Sequence, residues 1–261
     1  MRDLSVSVVQ DVLSWQDPAA NRRRYDEHFE TLGDGNQKPD LVVLPETFST
    51  GFTMSPWEAC ETMEGETVNW VTQRARELGA VITGSLIMKL DEQYVNRMIW
   101  ARPDGEMTYY DKRHLFRFGG EHHHYTSGDK RVIVDVNGWR IALFICYDLR
   151  FPVWSRNRED YDVGIYVANW PVARQYAWDT LIKARAIENQ VYVLASNRLG
   201  DDPVGNVYYG GSAILDFMGQ PMVDCEDRVM VANASLSMEP LAKFRDDFPA
   251  AMDRDEFEIR V

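Results

Sequence analysis

Three polar side chains stand at the ends of apolar, strand-like runs, where they could act together on a substrate. Glu46 follows LVVLP, Lys112 follows MTYYD, and Cys146 closes the run IALFIC. In α/β sheets, ligands bind outside the carboxyl ends of the strands, so residues that are distant in sequence can meet there in one cleft. The sequence therefore predicts a shared site for these three residues.

The chemistry of the three groups is complementary. A thiol is a nucleophile only as the thiolate, and a nearby cation such as Lys112 lowers its pKa. A carboxylate such as Glu46 could take the proton of Cys146 and later pass it to a leaving group. Lys112 and the backbone N–H of Tyr147 could stabilise the oxyanion that forms when the thiolate attacks a carbonyl.

Each of these residues also has an ordinary structural interpretation. Cys146 alone would more often be an inert buried thiol. Glu46 could cap the following segment, and Lys112 could be a surface lysine. Taken singly, the structural interpretations are favoured, and only the shared placement of the three residues raises the catalytic hypothesis above them.

The elements that must position these residues alternate between strands and helices. Strands are predicted at residues 4–10, 41–44, 81–89, 94–101, 107–112, 131–136, 139–146, 163–168, 191–196, 212–217 and 229–236. Helices are predicted at residues 18–32, 66–78 and 177–189, with a short one at 151–158. Residues 33–39 are interpreted as a break, residues 121–128 and those after 196 as loops, and residues 239–261 as a charged tail of undefined structure.

Hairpins are interleaved with the βα units. Turn signals at residues 103–105 and 137–138 predict two of them. This order indicates an α/β fold with a mixed sheet covered by helices, in one domain that spans residues 1–261. The strands are numerous enough for two sheets packed face to face.

The composition excludes several classes of protein and partner. The chain has 28 Lys+Arg against 41 Asp+Glu, a formal net charge of −13, whereas nucleic acid and anionic membranes need a basic face. An apolar share of 45% is too high for a disordered chain. No run approaches the roughly 18–20 apolar residues of a membrane span. We expect neither nucleic acid nor a membrane as partner.

The cysteine pattern favours reduced thiols. Cys60, Cys146 and Cys225 cannot all pair with one another, and their spacing matches no zinc site. Because the chain also opens without a signal-type segment, a cytoplasmic location is expected. Cys60 and Cys225 follow no strand-end motif and are interpreted as packing residues.

The motifs around the three polar residues resemble those of the nitrilase, or carbon–nitrogen hydrolase, superfamily. They are LVVLPETF around Glu46, YDKRHLF around Lys112 and ICYDLRFP around Cys146, in the order and spacing of that family. Further matches are GGEHHHYTSG with Glu121, ANWP, KARAIENQ and NRLG followed by Y-x-G-x-S. The resemblance runs from about residue 9 to residue 216 and implies an α-β-β-α sandwich that dimerises through its helices.

The resemblance also implies a role for each residue. Cys146 would attack a carbonyl or nitrile carbon, and Lys112 with the Tyr147 N–H would stabilise the oxyanion. Glu46 would protonate the departing ammonia and then activate water to hydrolyse the thioester. Glu121 would orient Lys112 or the incoming group. Neither a metal nor an organic cofactor is implied.

Within the superfamily, the motifs are most similar to those of bacterial ω-amidases, which deamidate the monoamides of dicarboxylic acids such as 2-oxoglutaramate and succinamate. A cation must meet the free carboxylate of such a substrate. Arg150, Arg117, Arg174 and Tyr125 are the candidates, and Trp170 is expected to form a wall of the pocket. A structural salt bridge is an equally weighted interpretation of Arg150.

Other functions stay open at this point. Nitrile hydrolysis, N-carbamoyl amino acid cleavage and deaminated-glutathione cleavage use the same triad, and pocket shape decides among them. A non-catalytic binding protein of the same fold is a weaker alternative, because all four catalytic positions are occupied. The run His122–His124 is interpreted as a loop beside the active site, since adjacent residues of an extended segment face opposite ways and rarely bind one ion.

Overall fold

The computed structural model describes residues 2–33, 38–158 and 160–261. Its strands are β1 (Leu4–Gln10), β2 (Leu41–Val43), β3 (Val81–Leu90), β4 (Gln93–Ala101), β5 (Met107–Asp111), β6 (Ile133–Val136), β7 (Trp139–Ile145), β8 (Val163–Ala168), β9 (Tyr192–Asn197), β10 (Leu199–Asp201), β11 (Val207–Tyr209), β12 (Ala213–Leu215), β13 (Pro221–Asp224) and β14 (Met230–Leu236). Its helices are α1 (Pro18–Gly33), α2 (Pro56–Ala59), α3 (Glu66–Leu78), α4 (Pro152–Ser155), α5 (Gln175–Asn189) and α6 (Met238–Asp247). Short 3-10 turns lie at Arg117–Gly119, Glu121–His123, Cys146–Arg150, Val172–Arg174 and Ala250–Asp253.

The strands of the described residues form two six-stranded mixed sheets. The first has the order β14-β1-β2-β3-β4-β5, and the second has the order β13-β12-β9-β8-β7-β6. Three parallel strands form the centre of each sheet, β1 to β3 in the first and β7 to β9 in the second. Antiparallel strands complete the edges. Strands β10 and β11 pair separately as a small hairpin.

The alternation of side chains along the strands separates two cores. Leu41 and Val43 of β2 join the core that the two sheets share, whereas Val42 packs into a second core under α1 and α3. Successive residues of a strand point to opposite faces, so a wholly apolar run is what a strand covered on both sides requires. Helix α5 covers the outer face of the second sheet with Trp178 and Ile182.

The layers are therefore helices, sheet, sheet and helices, and the predicted α-β-β-α sandwich is confirmed. None of the helices in the described ranges is both long and apolar enough to cross a bilayer. The hairpin predicted at residues 137–138 is also present. Asn137 and Gly138 both have positive φ, and they join Val136 to Trp139.

Short elements differ from the sequence-based predictions. The segment predicted as one helix at 151–158 is helical only at Pro152–Ser155, and the loop predicted after residue 196 contains β10 and β11. The charged tail contains α6, and the predicted loop at 121–128 opens with a 3-10 turn. Except for α6, which has ten residues, these elements have three or four residues. Elements that short show no period, so long-range packing decides them. The break predicted at 33–39 falls largely on residues 34–37, outside the described residues.

Candidate active site

Cys146 stands at a sharp turn where β7 ends. Ile145 is the last residue of the strand, and Cys146 opens the following 3-10 turn with a φ of 45°. A positive φ is strained for a residue with a Cβ and persists only where the surroundings enforce it. This geometry holds Cys146 at the carboxyl end of β7 in the second sheet, where its side chain lines a cavity.

Lys112 lies between two buried carboxylates. Its Nζ is 3.0 Å from Oε1 of Glu46, and it is 3.0 and 3.1 Å from the two carboxylate oxygens of Glu121. All three side chains are almost fully buried. The Nζ also lies 4.9 Å from the ring centroid of Phe52. Lys112 therefore has a fixed position and two anionic partners.

The carboxylate of Glu46 is oriented by amides as well as by the lysine. Asn96 donates to Oε1 at 2.8 Å, and the backbone N–H of Asn169 donates to Oε2 at 2.7 Å. The side chain of Asn169 donates to the backbone carbonyl of Glu46 at 2.6 Å. These donors come from β4 and from the end of β8, so both sheets hold Glu46 in place.

The charges in this group shift one another's pKa. Burial alone would lower the pKa of Lys112, but the carboxylates of Glu121 and Glu46 outweigh burial and raise that pKa above its ordinary value. Burial raises the pKa of Glu121, while Lys112 opposes this rise. Burial and then the carboxylate of Glu46 raise the pKa of the Cys146 thiol well above its usual range, against the effect of Lys112. The resting thiol is therefore protonated and needs a base to become a nucleophile.

A cavity of about 370 Å³ opens above Cys146. Aromatic and apolar side chains dominate its lining. The lining residues are Trp15, Phe52, Thr53, Met54, Lys112, Phe116, Phe118, Gly119, Cys146, Tyr147, Arg150, Asn169, Trp170, Pro171, Arg174, Val204, Asn206 and Tyr208. The lining contains three cationic side chains and no acidic one among the described residues.

Two arginines in this lining make no ion pair. Neither Arg150 nor Arg174 forms a hydrogen bond or a salt bridge through its guanidinium with any described residue. The guanidinium of Arg150 lies 5.0 Å from the Trp170 ring centroid, and that of Arg174 lies 5.2 Å from the ring of Phe116. The structural salt bridge considered for Arg150 is thus not found, and both guanidinium groups are available to a ligand.

The structure brings together most of the residues that the sequence singled out. Tyr147, Arg150, Trp170 and Arg174 line the cavity. Arg117 is exposed and does not line it. Tyr125 is buried behind the wall, where its hydroxyl donates to the carbonyl of Thr53 at 2.7 Å. Neither Arg117 nor Tyr125 lies in the lining of this cavity, and their assignment as substrate-binding residues stays a prediction.

The histidine run lies beside the site but outside the cavity lining. The rings of His122 and His123 are 3.8 Å apart, and the ring of His124 contacts Trp57. Among the described residues no group of three or more His, Cys, Asp or Glu side chains is arranged to hold a metal ion.

Several functional positions were missed at the level of sequence. Asn169 and Asp148 lie inside the quoted motifs ANWP and ICYDLRFP, so the motifs marked them without showing their contacts. Asn96 is a buried polar residue next to Arg97 in the middle of β4, between Val95 and the apolar run from Met98 to Ala101, which is a usable signal. Trp15, from the loop after β1, and Tyr208, from β11, reach the cavity from distant parts of the chain, and no local pattern indicates this.

Comparisons with known proteins identify the family of this chain. The carbon–nitrogen hydrolase family model matches residues 5–246. Omega-amidase YafV of Yersinia enterocolitica is 46% identical over 258 residues, 98% of this chain and 99% of that protein. Omega-amidase YafV of Escherichia coli strain K12 is 43% identical over 260 residues, 99% of this chain and 100% of that protein.

A solved structure of the same superfamily has a very similar fold. XC1258 from Xanthomonas campestris, a CN-hydrolase superfamily protein with an arsenic adduct in its active site, has a TM-score of 0.96 and 47% identity, and the match covers 100% of both chains. The family model and these identities of 43–47% each extend over most or all of the chain. The chain belongs to the carbon–nitrogen hydrolase family.

Proposed function

We propose that this protein is an ω-amidase, a hydrolase that releases ammonia from the terminal amide of small dicarboxylic acid monoamides such as 2-oxoglutaramate and succinamate. The full-length similarity to the two omega-amidases supports the reaction. One observation carries the substrate class. Cys146 and Lys112 share a cavity with Arg150 and Arg174, whose guanidinium groups form no ion pair within the described part of the chain, and none of the described residues that line this cavity is acidic.

The first half of the reaction forms a thioester. Glu46 takes the proton of the Cys146 thiol, and the sulfur attacks the amide carbon. The oxyanion that develops is met by the ammonium of Lys112 and by the backbone N–H of Tyr147. Tyr147 is the second residue of its 3-10 turn, where backbone N–H groups lack a partner inside the turn. Glu46 then returns the proton to the nitrogen, and ammonia leaves.

The second half regenerates the enzyme. Glu46 takes a proton from water, and the resulting hydroxide attacks the thioester carbon. The sulfur leaves and recovers a proton, so the products are the dicarboxylic acid and the free thiol. Glu121 keeps Lys112 charged and in place through both halves. Because Lys112 and Cys146 line the cavity and the fully buried Glu46 and Glu121 do not, the substrate contacts the lysine and the thiol first.

The cationic end of the cavity selects the acyl group. A substrate with a free carboxylate gains charge-assisted hydrogen bonds from a guanidinium that has no competing partner. The α-ammonium group of a substrate such as glutamine would meet the like charges of Arg150 and Arg174. No carboxylate among the described lining residues would pair with that ammonium group. The site therefore favours 2-oxo acid or simple acid monoamides over amino acid amides.

A panel of substrates tests this function. Ammonia release is measured with succinamate, 2-oxoglutaramate, glutamine, a neutral amide, a nitrile and an N-carbamoyl amino acid. The expected order of kcat/KM places the two anionic amides first by at least about tenfold, the equivalent of about 1.4 kcal/mol. A preference for the nitrile or the carbamoyl compound would overturn the proposal.

Matched cysteine variants identify the nucleophile. Cys146→Ala should abolish ammonia release, whereas Cys60→Ala and Cys225→Ala should keep it, because these two free thiols lie outside the cavity lining. Mass spectrometry of the protein during turnover should find the acyl adduct on Cys146. Full activity of Cys146→Ala would contradict the assigned role.

We also propose a homodimer in a reducing compartment, the cytoplasm. Large apolar side chains are exposed on α5 and directly after α6, with Tyr176 84%, Ile187 55% and Phe248 62% accessible. A catalytic thiol needs reducing conditions to stay free. Light scattering should give a dimer mass, and Ile187→Glu should lower it to that of the monomer. Val229→Glu, a change of an equally exposed valine elsewhere, is the control.

A further inference from the structure

A buried aspartate next to the nucleophile collects hydrogen bonds from two parts of the site. The side chain of Asp148 is fully buried, and its Oδ2 accepts the backbone N–H of Ile145 at 2.9 Å and the hydroxyl of Tyr110 at 2.7 Å. Its Oδ1 accepts the backbone N–H of His114 at 2.9 Å and faces the His114 Nδ1 at 2.7 Å. A buried carboxylate with this many donors is fixed in orientation.

The two outside partners flank the catalytic lysine. Tyr110 lies two residues before Lys112, and His114 lies two residues after it. Asp148 itself lies two residues after Cys146. One carboxylate therefore ties both ends of the lysine segment to the turn that carries the nucleophile.

Packing holds the histidine in this position. The ring of His114 stacks on the ring of Phe151 with centroids 3.7 Å apart and planes at 4°. Phe151 follows directly after the 3-10 turn of Cys146. The hydroxyl of Tyr110 is itself held by the indole N–H of Trp154 at 3.0 Å. The five residues that make these contacts do not line the cavity: Tyr110, His114, Asp148, Phe151 and Trp154. They are connected through the backbone to Lys112 and Cys146, which do line it, so the contribution of the five residues to catalysis is indirect.

We propose that His114 is a positioning residue, which acts through Asp148 to set the separation of the Lys112 ammonium and the Cys146 sulfur. The positive φ of Cys146 is strained and persists only while contacts such as those of Asp148 enforce it. A displacement of about 1 Å at a reacting group can cost about 100-fold in rate. Because His114 does not line the cavity, its loss should leave substrate binding nearly unchanged.

The test compares His114→Leu with His28→Leu. His28 forms a His–Asp contact of the same kind with Asp11 at 2.6 Å, outside the cavity lining. The side chains of His28 and His114 are 18% and 22% exposed, and both aspartates are buried. His114→Leu should lower kcat about 10- to 100-fold with KM changed less than about threefold, whereas His28→Leu should keep both constants within about twofold.

Two further variants separate positioning from stability. His114→Asn places an amide N–H near the site of Nδ1 and should recover most of the lost kcat. Tyr110→Phe removes one donor to Asp148 without touching the histidine and should lower kcat alone, so it decides the matter if His114→Leu does not fold. A fall that appears in KM, no recovery in His114→Asn, or an equal loss in His28→Leu would overturn the proposal.

The inference rests on the proposed role of Cys146 as nucleophile, and a second readout removes its dependence on the substrate. The rate constant for alkylation of Cys146 by iodoacetamide, followed by mass spectrometry, should fall in His114→Leu and stay unchanged in His28→Leu. Should the wild-type protein hydrolyse no ω-amide, the proposed function fails, and the alkylation rates still decide the role of His114. Equal alkylation rates in the two variants would refute it.

Discussion

Replacement of Arg150 by methionine should change the preference for anionic substrates without damaging the catalytic centre. Methionine keeps an apolar stem of similar length and removes the guanidinium. Arg150 makes no ion pair with any described residue, so the substitution breaks no structural salt bridge. The contact that is lost within the protein is the stacking on Trp170, at 5.0 Å from the ring centroid.

The expected magnitude follows from the bond that the substrate loses. A hydrogen bond to a charged group contributes about 1.5–3 kcal/mol. Because Arg150 is partly exposed, we take a value near the lower end, about 2 kcal/mol, which corresponds to about 30-fold in kcat/KM. The full fall of about 30-fold in kcat/KM is expected for succinamate, whose carboxylate would meet Arg150. For butyramide, a neutral amide of the same length, kcat/KM should change less than about twofold because no charge is involved.

The assay measures ammonia release from both amides as a function of concentration. Arg150→Lys keeps the charge but not the planar fork, so it should recover only part of the loss. Arg117→Met is the matched control, since Arg117 is exposed and outside the cavity lining. An equal fall for succinamate and butyramide would refute the reasoning. If only Arg174→Met reduces the preference for succinamate, the carboxylate is bound by Arg174 instead.

Three further predictions concern charge and packing. Glu121→Gln should lower kcat about 100-fold, because the carboxylate at 3.0 Å from the Lys112 Nζ contributes most to keeping that ammonium charged; ammonia release measures this. Burial raises the pKa of Cys225 to about 12, so the folded protein should lose stability as pH rises from about 9 towards 12, by at most about 1.4 kcal/mol per pH unit from this thiol. Urea unfolding of Cys225→Ser should show a flatter pH dependence over that range. Gly84→Ala should destabilise the protein by about 1–3 kcal/mol in urea unfolding, because the new Cβ would lie 2.8 Å from the Phe48 ring.

Controls accompany these predictions. Glu61→Gln removes a partly buried carboxylate that accepts the N–H of Thr67 at 2.9 Å, outside the lining of the cavity, and should leave kcat unchanged. The sign for Cys225 follows from the unfolded chain, which ionises at lower pH and therefore binds fewer protons than the folded protein above pH 9. A pH dependence of Cys225→Ser parallel to that of the wild type would contradict the assignment. Unchanged stability of Gly84→Ala would show that Phe48 can move aside at little cost.

Long elements could be predicted from the sequence because their patterns are local. The strand before Cys146 and the helix with Tyr25, Phe29 and Leu32 on one face match the structure within one or two residues. Strand β10, with three residues, has no period to detect. It forms because its backbone pairs with β11.

The candidate site divides in the same way. Motifs and strand ends pointed to Glu46, Lys112 and Cys146, and the structure places these side chains around one cavity or directly behind it. The same reasoning named Arg150, Arg117, Arg174 and Tyr125 together as candidates for the substrate carboxylate, since a pattern of charge does not tell which side of a turn a long side chain takes. Only the packed structure shows Arg117 exposed and Arg150 in the cavity lining.

The sequence by itself determined the order of strands and helices, the wholly apolar runs of doubly covered strands, and the types of group that stand at the strand ends. These depend on the neighbours of each residue within a few positions, where periodicity operates. The tertiary structure alone decided the partners. Asn169 holds Glu46 across 123 positions of sequence, and Tyr110 reaches Asp148 across 38. A hydrogen bond depends on distances of a few tenths of an ångström between distant segments, and only the closed sandwich of two sheets sets those distances.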